Sequence, residues 1–272
     1  MSVLADQAAC PFRAFAKHRL RARERDAADI GISPAERGNV AHEALEYFWR
    51  DIGSQHELLA RTPQEIDAVI ERSVRAALDS RLSRRHRNAS LERSRALEQQ
   101  RLYDLLTEWL ELERRRQDFT VLEREEQRSV DVGGLTLQIK ADRLDRFADG
   151  THAILDYKTS DKQGVKDWEG ERPNAPQLML YATQSKPVPS SVEFAFLVLR
   201  DTGLDGYKGL DLQQHLPEWT RVVEQLGASF FRGDAAVDPK YGLKSCEFCQ
   251  LHSLCRIADV RALDTQEDDA VE

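Results

Sequence analysis

The sequence contains no apolar run long enough to span a membrane, and basic residues are not in excess. A membrane-spanning helix needs about 20 consecutive apolar residues. The first ten residues, MSVLADQAAC, have neither the basic stretch nor the apolar core of a secretion signal. We therefore expect a cytoplasmic protein with no membrane partner. The net charge of −8 argues against a protein that coats nucleic acid, although the surface can still be positive locally.

Cysteine is scarce, and its positions are uneven. One cysteine lies near the start of the chain, and the others lie close together near its end. They are Cys10, Cys246, Cys249 and Cys255. In a reducing compartment such a set is more typical of a metal site than of disulfides. The thiol set alone is compatible with tetrahedral zinc and with an iron–sulfur cluster.

The remaining composition is that of a folded globular protein. Of the 272 residues, 41% are hydrophobic and 32% are charged, which is slightly rich in charge. A chain of this length can bury a substantial core and form one large domain or two small ones.

Helices are predicted before and after a region of strands. They start at Pro11, Ser33 and Thr62, and two more cover residues 83–117 and 219–231. Proline at the first helical position is typical of a helix start, and Ser-Pro-Ala-Glu is a capping box.

The hydrophobic pattern changes to a period of two after residue 119, which predicts strands. We expect them at residues 119–132, 135–147 and 152–159, with Asp149-Gly150 as the last turn between them. Residues 191–199 form an almost continuous apolar run, as in a strand buried on both faces. A helix precedes this run, which indicates a parallel crossover added to antiparallel strands.

Two acidic residues and a lysine are placed by this alternation. Asp156 and Lys158 point to one face of their strand, because side chains alternate at period two. If Asp142 on the neighbouring strand faces the same side, two carboxylates and an ammonium converge. Such a group can hold a hard divalent cation beside a positioned water. The alternative is a cross-strand ion pair on a solvated sheet face.

Three polar residues lie on predicted helices at defined spacings. His42 follows Gly38 by about one turn, and the small residue lets another element approach closely. Gln177 and Tyr181 are four positions apart on a helix at residues 175–185, and therefore share a face. Ordinary packing or solvation would also explain each of them.

The acid–lysine stretch resembles the active-site signature of the PD-(D/E)XK nuclease superfamily, in the branch of the RecB and AddB nuclease domains. Asp142 is followed, after a turn, by Asp156-Tyr157-Lys158. The resemblance covers residues 10–256 in five separated motifs. It implies a restriction-endonuclease-like α/β fold, with a mixed β-sheet flanked by helices, and metal-dependent hydrolysis of DNA.

Two helical motifs extend the resemblance. Arg37-Gly38-x-x-x-His42 is similar to the first motif of this branch, in which the histidine reaches the catalytic metal. Gln177-x-x-x-Tyr181 is similar to the motif that follows Asp-Tyr-Lys. The resemblance implies a role for both of its residues next to the lysine and the DNA.

The resemblance also implies the ligands of Mg²⁺ or Mn²⁺. They are His42, Asp142, Asp156 and the main-chain carbonyl of Tyr157. Lys158 would orient the attacking water and offset charge on the phosphate. We choose Asp142 over Asp145 as a ligand, because Asp142 aligns with the first aspartate of the family's Asp-Arg-x-Asp pattern.

The cysteines resemble the iron–sulfur staple of AddB-type nucleases. Cys10-Pro11-Phe12 is similar to the opening motif of that staple, and Cys246, Cys249 and Cys255 are similar to its C-terminal triplet. The resemblance implies a [4Fe–4S] cluster that joins the two ends of the fold. Zn²⁺ is the alternative.

We divide the chain into four regions. Residues 1–118 are a helical region, residues 119–235 a nuclease core, residues 236–260 a cysteine segment, and residues 261–272 an acidic, disordered tail. Three basic residues in the first region would either contact the DNA backbone or form a solvated face. They are Arg84, Arg85 and Arg87.

The implied function is an AddB-like nuclease of DNA repair or recombination. We expect an exonuclease that acts on single-stranded DNA or on DNA ends. A helicase subunit, or a missing helicase-like region, is its expected partner. The alternative is a catalytically silent iron–sulfur module that binds DNA ends within a larger helicase-like repair protein.

Overall fold

The computed structural model describes residues 2–22, 31–82, 89–124, 127–159, 168–247 and 249–257. Two predictions lie outside the described residues: the contacts of Arg84, Arg85 and Arg87, and the disordered tail at residues 261–272.

The first part of the chain is helical. Its helices are α1 (Ser2–Ala9), α2 (Pro11–Ala14), which continues as a π-helical turn (Phe15–Arg19), α3 (Pro34–Ile52), α4 (Gln55–Ala60), α5 (Pro63–Leu82) and α6 (Ala89–Glu113). The predicted capping box of α3 is present, because Ser33 and Glu36 exchange backbone-to-side-chain hydrogen bonds. α6 ends at Glu113 rather than at the predicted residue 117. Gln55 donates to the carbonyls of Glu113 and Arg114 and thereby holds the turn that ends it.

A five-stranded mixed sheet follows these helices. The described strands, which include a separate two-stranded hairpin, are β1 (Phe119–Arg124), β2 (Gln127–Val132), β3 (Leu135–Lys140), β4 (Arg143–Phe147), β5 (His152–Lys158), β6 (Ser191–Phe196) and β7 (Gly203–Lys208). The sheet has the order β1-β4-β5-β6-β7, and β5 and β6 are its parallel pair. They are connected through α7 (Pro176–Gln184), and α8 (Gly209–Arg232) and α9 (His252–Cys255) follow β7. The predicted fold class and parallel crossover are confirmed.

The two longest predicted strands are wrong in extent, because each is divided in two. β2 and β3 pair with each other as a separate hairpin, whereas β1 and β4 belong to the main sheet. The turn of the hairpin packs against α8. The Gly133 N–H donates to Glu224 Oε2 at 2.6 Å, and a Cβ atom at Gly133 would lie 2.2 Å from the Ala228 nitrogen. This contact with a distant helix holds the hairpin apart from the main sheet.

The last long helix is also wrong in extent. α8 begins at Gly209 rather than at residue 219, and it contains Pro217. Proline inside a helix removes a backbone donor, so a helix is not expected to pass through it. Leu212 and Trp219 are both buried in one core, and this packing on either side of Pro217 accounts for the continuous helix.

A hydrophobic core lies between each face of the main sheet and the helices that pack on it. One core contains residues of α3, α5 and α6 together with Leu155 and Tyr157 of β5. The other contains residues of α1, α7 and α8 together with Ile154. Side chains therefore alternate along β5 as predicted, and Asp156 and Lys158 share the face that α7 covers. α1 packs on this second face rather than with α3–α6.

A buried ion network joins the end of α6 to the sheet. The Arg143 guanidinium, which is 1% exposed, binds both oxygens of Asp145 and both oxygens of Glu113. Arg116 also pairs with Glu113 and Asp145. Burial raises the pKa of Glu113, but the two arginines lower it more, so its net pKa shift is downward. The network therefore contains a charged Glu113 carboxylate and two charged guanidinium groups.

We expect Arg143→Met to lower the free energy of unfolding by about 3–5 kcal/mol, because it leaves two buried carboxylates with one cation. Arg72→Met is the matched control. Its 3.5 Å pair with Asp51 is exposed, so we expect a loss below about 1 kcal/mol. Urea denaturation of both variants measures the difference. Equal losses would contradict the structural importance of the network.

Candidate active site

The predicted site residues meet where β5 ends. Asp142 lies in the short connection between β3 and β4, and Asp156 and Lys158 lie in the last three residues of β5. Asp142 Oδ2 accepts a hydrogen bond of 2.8 Å from the Tyr157 N–H. This bond places the Asp142 carboxylate beside the backbone that carries Asp156 and Lys158.

His42 approaches the same carboxylate from α3. Its Nδ1 atom lies 3.3 Å from Asp142 Oδ1, and its ring meets the Tyr157 ring edge to face at 5.9 Å. Gly38, one turn earlier, lies so close to the end of β5 that a Cβ atom there would be 3.0 Å from Thr159 Oγ1. The small residue therefore lets α3 bring the imidazole to the site.

Asp145 has a different environment from Asp142. It is fully buried and is paired with Arg143 and Arg116 in the ion network. Its oxygens are held by these guanidinium groups, whereas Asp142 lies beside His42 and is 11% exposed. This environment favours Asp142 over Asp145 as a metal ligand.

Asp156 is a buried carboxylate in an unfavourable environment. Burial and the neighbouring charge of Asp142 raise the pKa of Asp156 to about 6, against the opposing effects of Lys158 and His42. Its Oδ2 atom forms an ion pair with the Lys158 ammonium. The two carboxylates thus repel each other across the site, and Lys158 offsets only part of that repulsion.

Lys158 is held on two other sides. Its Nζ atom lies 3.4 Å from Gln177 Oε1 and 4.9 Å from the centre of the Phe194 ring. An aromatic face attracts a cation, and the amide oxygen of Gln177 accepts a hydrogen bond from the Lys158 ammonium. Phe194 was not predicted to contribute to the site. Its position opposite Asp156 on β6 could be found only from the strand register.

Tyr181 lies near the site and binds the backbone that leads into it. Its hydroxyl accepts a 2.8 Å hydrogen bond from the Lys140 N–H, at the end of β3. Burial, followed by the charge of Asp156, raises the Tyr181 pKa well above its ordinary value, so the hydroxyl stays protonated. Its contact is therefore with the backbone that leads to Asp142.

One known family matches most of the chain. The sequence profile of the PD-(D/E)XK nuclease superfamily matches residues 1–256. The chain belongs to this superfamily. A PD-(D/E)XK nuclease hydrolyses phosphodiester bonds of DNA, generally with Mg²⁺ or Mn²⁺. The superfamily is confirmed, whereas the RecB/AddB branch, exonuclease action and the iron–sulfur staple stay predictions.

Other comparisons add little to the superfamily assignment. A comparison with curated proteins found no match. A solved structure titled "Crystal structure of SSO0001" is 12% identical, covers 93% of this chain and 94% of its own, and has a TM-score of 0.30. A similarity this low supports no inference about function. Among the described residues, no helix of this nuclease is long and apolar enough to cross a membrane.

The donor set of the site fits a hard divalent cation by its chemistry. Two carboxylates, a main-chain carbonyl and an imidazole suit Mg²⁺ or Mn²⁺, and the mutual repulsion of the carboxylates favours a cation between them. Within the described part of the chain, no group of three or more histidine, cysteine, aspartate or glutamate side chains is close enough together to hold a metal ion. Asp156 would have to exchange part of its contact with Lys158 for the metal.

The cysteines of this PD-(D/E)XK protein line one small cavity. Cys10 approaches it from the start of α2, and the other thiols come from the segment after α8. All four are reduced cysteines, outside any disulfide bond. His252, which the sequence analysis did not consider, also lines the cavity, and its Nε2 atom lies 3.0 Å from the Cys246 carbonyl oxygen. Its position between Cys249 and Cys255 is a signal that could have identified it.

We expect Asp156→Asn to stabilise the metal-free protein by about 1–3 kcal/mol at pH 8. The folded-state pKa of Asp156 is raised, so its destabilising effect is absent below about pH 4 and complete above about pH 6. The neutral amide removes this cost. Melting temperatures in EDTA at pH 4.5 and pH 8 measure it, with Asp51→Asn as an exposed control. A lower melting temperature for Asp156→Asn at pH 8 would contradict the repulsion between the two carboxylates.

Proposed function

We propose that this protein is a Mg²⁺- or Mn²⁺-dependent deoxyribonuclease of the RecB/AddB type, which acts on single-stranded DNA or DNA ends in repair or recombination. The observation that supports it most strongly is the convergence at the end of β5. There Asp142 accepts from the Tyr157 N–H, and Asp156 pairs with Lys158. A solvated cross-strand ion pair would not bury Asp156 to 6% exposure or raise its pKa.

Asp142, Asp156, the Tyr157 carbonyl and His42 would hold the metal. When bound, Mg²⁺ or Mn²⁺ would act as a Lewis acid on the scissile phosphate. Asp142 is oriented for this task from two directions, since the Tyr157 N–H binds one of its oxygens and His42 lies near the other. Tyr181 orients the same segment by accepting from the Lys140 N–H.

Lys158 is the cationic side chain of the proposed active site. Its ammonium would orient the attacking water and stabilise negative charge that develops on the phosphate oxygens. Gln177 and the Phe194 ring hold the ammonium from the α7 and β6 sides. A lysine with fixed neighbours needs little reorganisation as charge develops.

We also propose that the four cysteines bind a [4Fe–4S] cluster, with Zn²⁺ as the alternative. Two backbone hydrogen bonds bring the ends of the chain together beside the thiols: Phe12 N–H to the Ala236 carbonyl at 3.0 Å, and Lys240 N–H to the Ala9 carbonyl at 2.9 Å. Four thiols around one apolar cavity suit a cluster with cysteine ligands. The helicase partner and the DNA contacts of Arg84, Arg85 and Arg87 stay predictions.

We expect Lys158→Ala to reduce DNA cleavage about 100-fold or more, with folding and DNA binding nearly unchanged. Lys208→Ala is the matched control, because Lys208 also pairs with a strand carboxylate, Glu193, but near the opposite end of the sheet. Cleavage of labelled single- and double-stranded DNA with Mn²⁺ measures both. Normal cleavage by Lys158→Ala would overturn the assignment, and an inactive wild-type protein that binds DNA ends would favour the silent module.

We expect about four irons and matching acid-labile sulfide per chain in anaerobically purified protein. Cys10→Ser should lose the iron, because the remaining thiols leave one iron without its cysteine ligand. Ser245→Ala changes a neighbouring residue of the same cavity and should keep it. Metal and sulfide analysis decides the chemistry: one zinc without sulfide would replace the cluster by the zinc alternative.

A further inference from the structure

Arg172 joins three segments that are distant in the sequence. Its Nε donates to the Ala8 carbonyl at 2.7 Å, and its Nη2 donates to the Ala9 carbonyl at 3.1 Å. The same Nη2 donates to the Asp238 carbonyl at 2.7 Å, while Nη1 binds the Asp238 carboxylate at 2.8 Å. The guanidinium thus holds the end of α1 to the segment that leads to Cys246.

Two of the carbonyls that Arg172 binds, those of Ala8 and Ala9, are the last of α1. Carbonyls at a helix C-terminus have no partner within the helix, and a cation is favourable there. Cys10 follows Ala9 directly, and Cys10 Sγ lies 4.0 Å from the Ala236 carbonyl oxygen. The position of the first cysteine relative to the C-terminal cysteine segment therefore depends on Arg172.

Asn174 continues the connection toward the catalytic residues. Its Oδ1 atom accepts from Lys240 Nζ at 2.8 Å and from the Tyr241 hydroxyl at 3.2 Å. α7 begins two residues later, at Pro176, and Gln177 in its first turn contacts Lys158. Residues 172–174 are thus bound to the cysteine segment on one side and lead into the helix that holds Lys158 on the other.

We propose that Arg172 is a positioning residue that couples the cysteine site to the start of α7, and through Gln177 to Lys158. The proposal deepens the proposed function and rests on its cysteine site and its catalytic lysine. Coupling of this kind is reciprocal. An interaction that orders the cysteine segment also stabilises the start of α7, and disorder of the cysteine segment destabilises the start of α7.

Arg221, on α8, shows how an ordinary surface arginine that contacts the same loop differs. It binds the carboxylates of Glu171 and Glu218 and the amide oxygen of Gln225, and its side chain is 40% exposed. Glu171 is the residue before Arg172, but Glu218 and Gln225 belong to α8. Arg221→Gln therefore removes a comparable set of hydrogen bonds next to Arg172 without breaking a contact to the cysteine segments.

Hydrogen exchange of Arg172→Gln and Arg221→Gln tests the coupling in the presence of whatever metal the protein retains. We expect exchange about tenfold faster in Arg172→Gln at residues 8–12, 236–241 and 176–181, and wild-type exchange there in Arg221→Gln. Wild-type exchange at residues 176–181 in Arg172→Gln would overturn the proposal.

Two further measurements separate coupling from a general loss of stability. In Arg172→Gln we expect kcat for DNA cleavage to fall about tenfold while KM changes less than about twofold, because Lys158 is misaligned but DNA binding is kept. We also expect a chelator to remove iron about tenfold faster than from Arg221→Gln. Equal kcat and equal iron loss in the two variants would contradict the coupling.

Asp238→Ala keeps the test decisive if Arg172→Gln does not fold. It removes one exposed carboxylate contact of Arg172 and leaves the main-chain contact. We expect the same changes in exchange, but about threefold in size, and no change would overturn the proposal. If the wild-type protein contains no iron, the cluster is wrong, whereas exchange at residues 176–181 still decides the coupling.

Discussion

The buried pairing of Arg143 with Asp145 and Glu113 is the constraint on which the site geometry depends. It connects the last turn of α6 to β4, and the Arg143 Nη1 atom also lies 3.3 Å from the Tyr157 hydroxyl. Tyr157 in turn carries the N–H that binds Asp142. Charges buried this deeply are tolerated only with complete pairing and correct geometry. The relative position of the helices and β5 is thereby fixed.

The opposite face of β5 shows the reverse principle. There two carboxylates lie close together with incomplete compensation, and the pKa of Asp156 is raised as a result. An unfavourable arrangement of charges such as this persists only where the surrounding structure holds the carboxylates in place. The ion network beneath Tyr157 and the packing of α7 above Lys158 provide that support. A face supported by mutually paired charges and a face with incompletely compensated carboxylates thus share one strand.

Sequence patterns predicted the local features correctly, and they failed where contacts between distant residues determine the bounds of an element. Strand alternation gave the faces of Asp156 and Lys158 correctly, and the capping box of α3 was confirmed. The division of the strands was missed because it depends on the packing of Gly133 against α8. The contacts of Arg172 are also beyond local reasoning, since its partners at Ala8 and Ala9 lie 164 and 163 positions away. The candidate site residues were predicted from strand alternation and from the resemblance, whereas their contacts required the fold.

The hydrogen bond between Phe12 and Ala236 has a consequence for synthesis of the chain. Cys10 and Ala236 are separated by 226 positions. At a translation rate of about 5–20 residues per second, roughly 10–45 s pass between the appearance of these two residues. During that time α1 and α2 lack the segment of residues 236–240, with which Phe12 and Ala9 form backbone hydrogen bonds. The four cysteines can therefore line one cavity only after Cys255 has been synthesised, so this part of the described fold forms late.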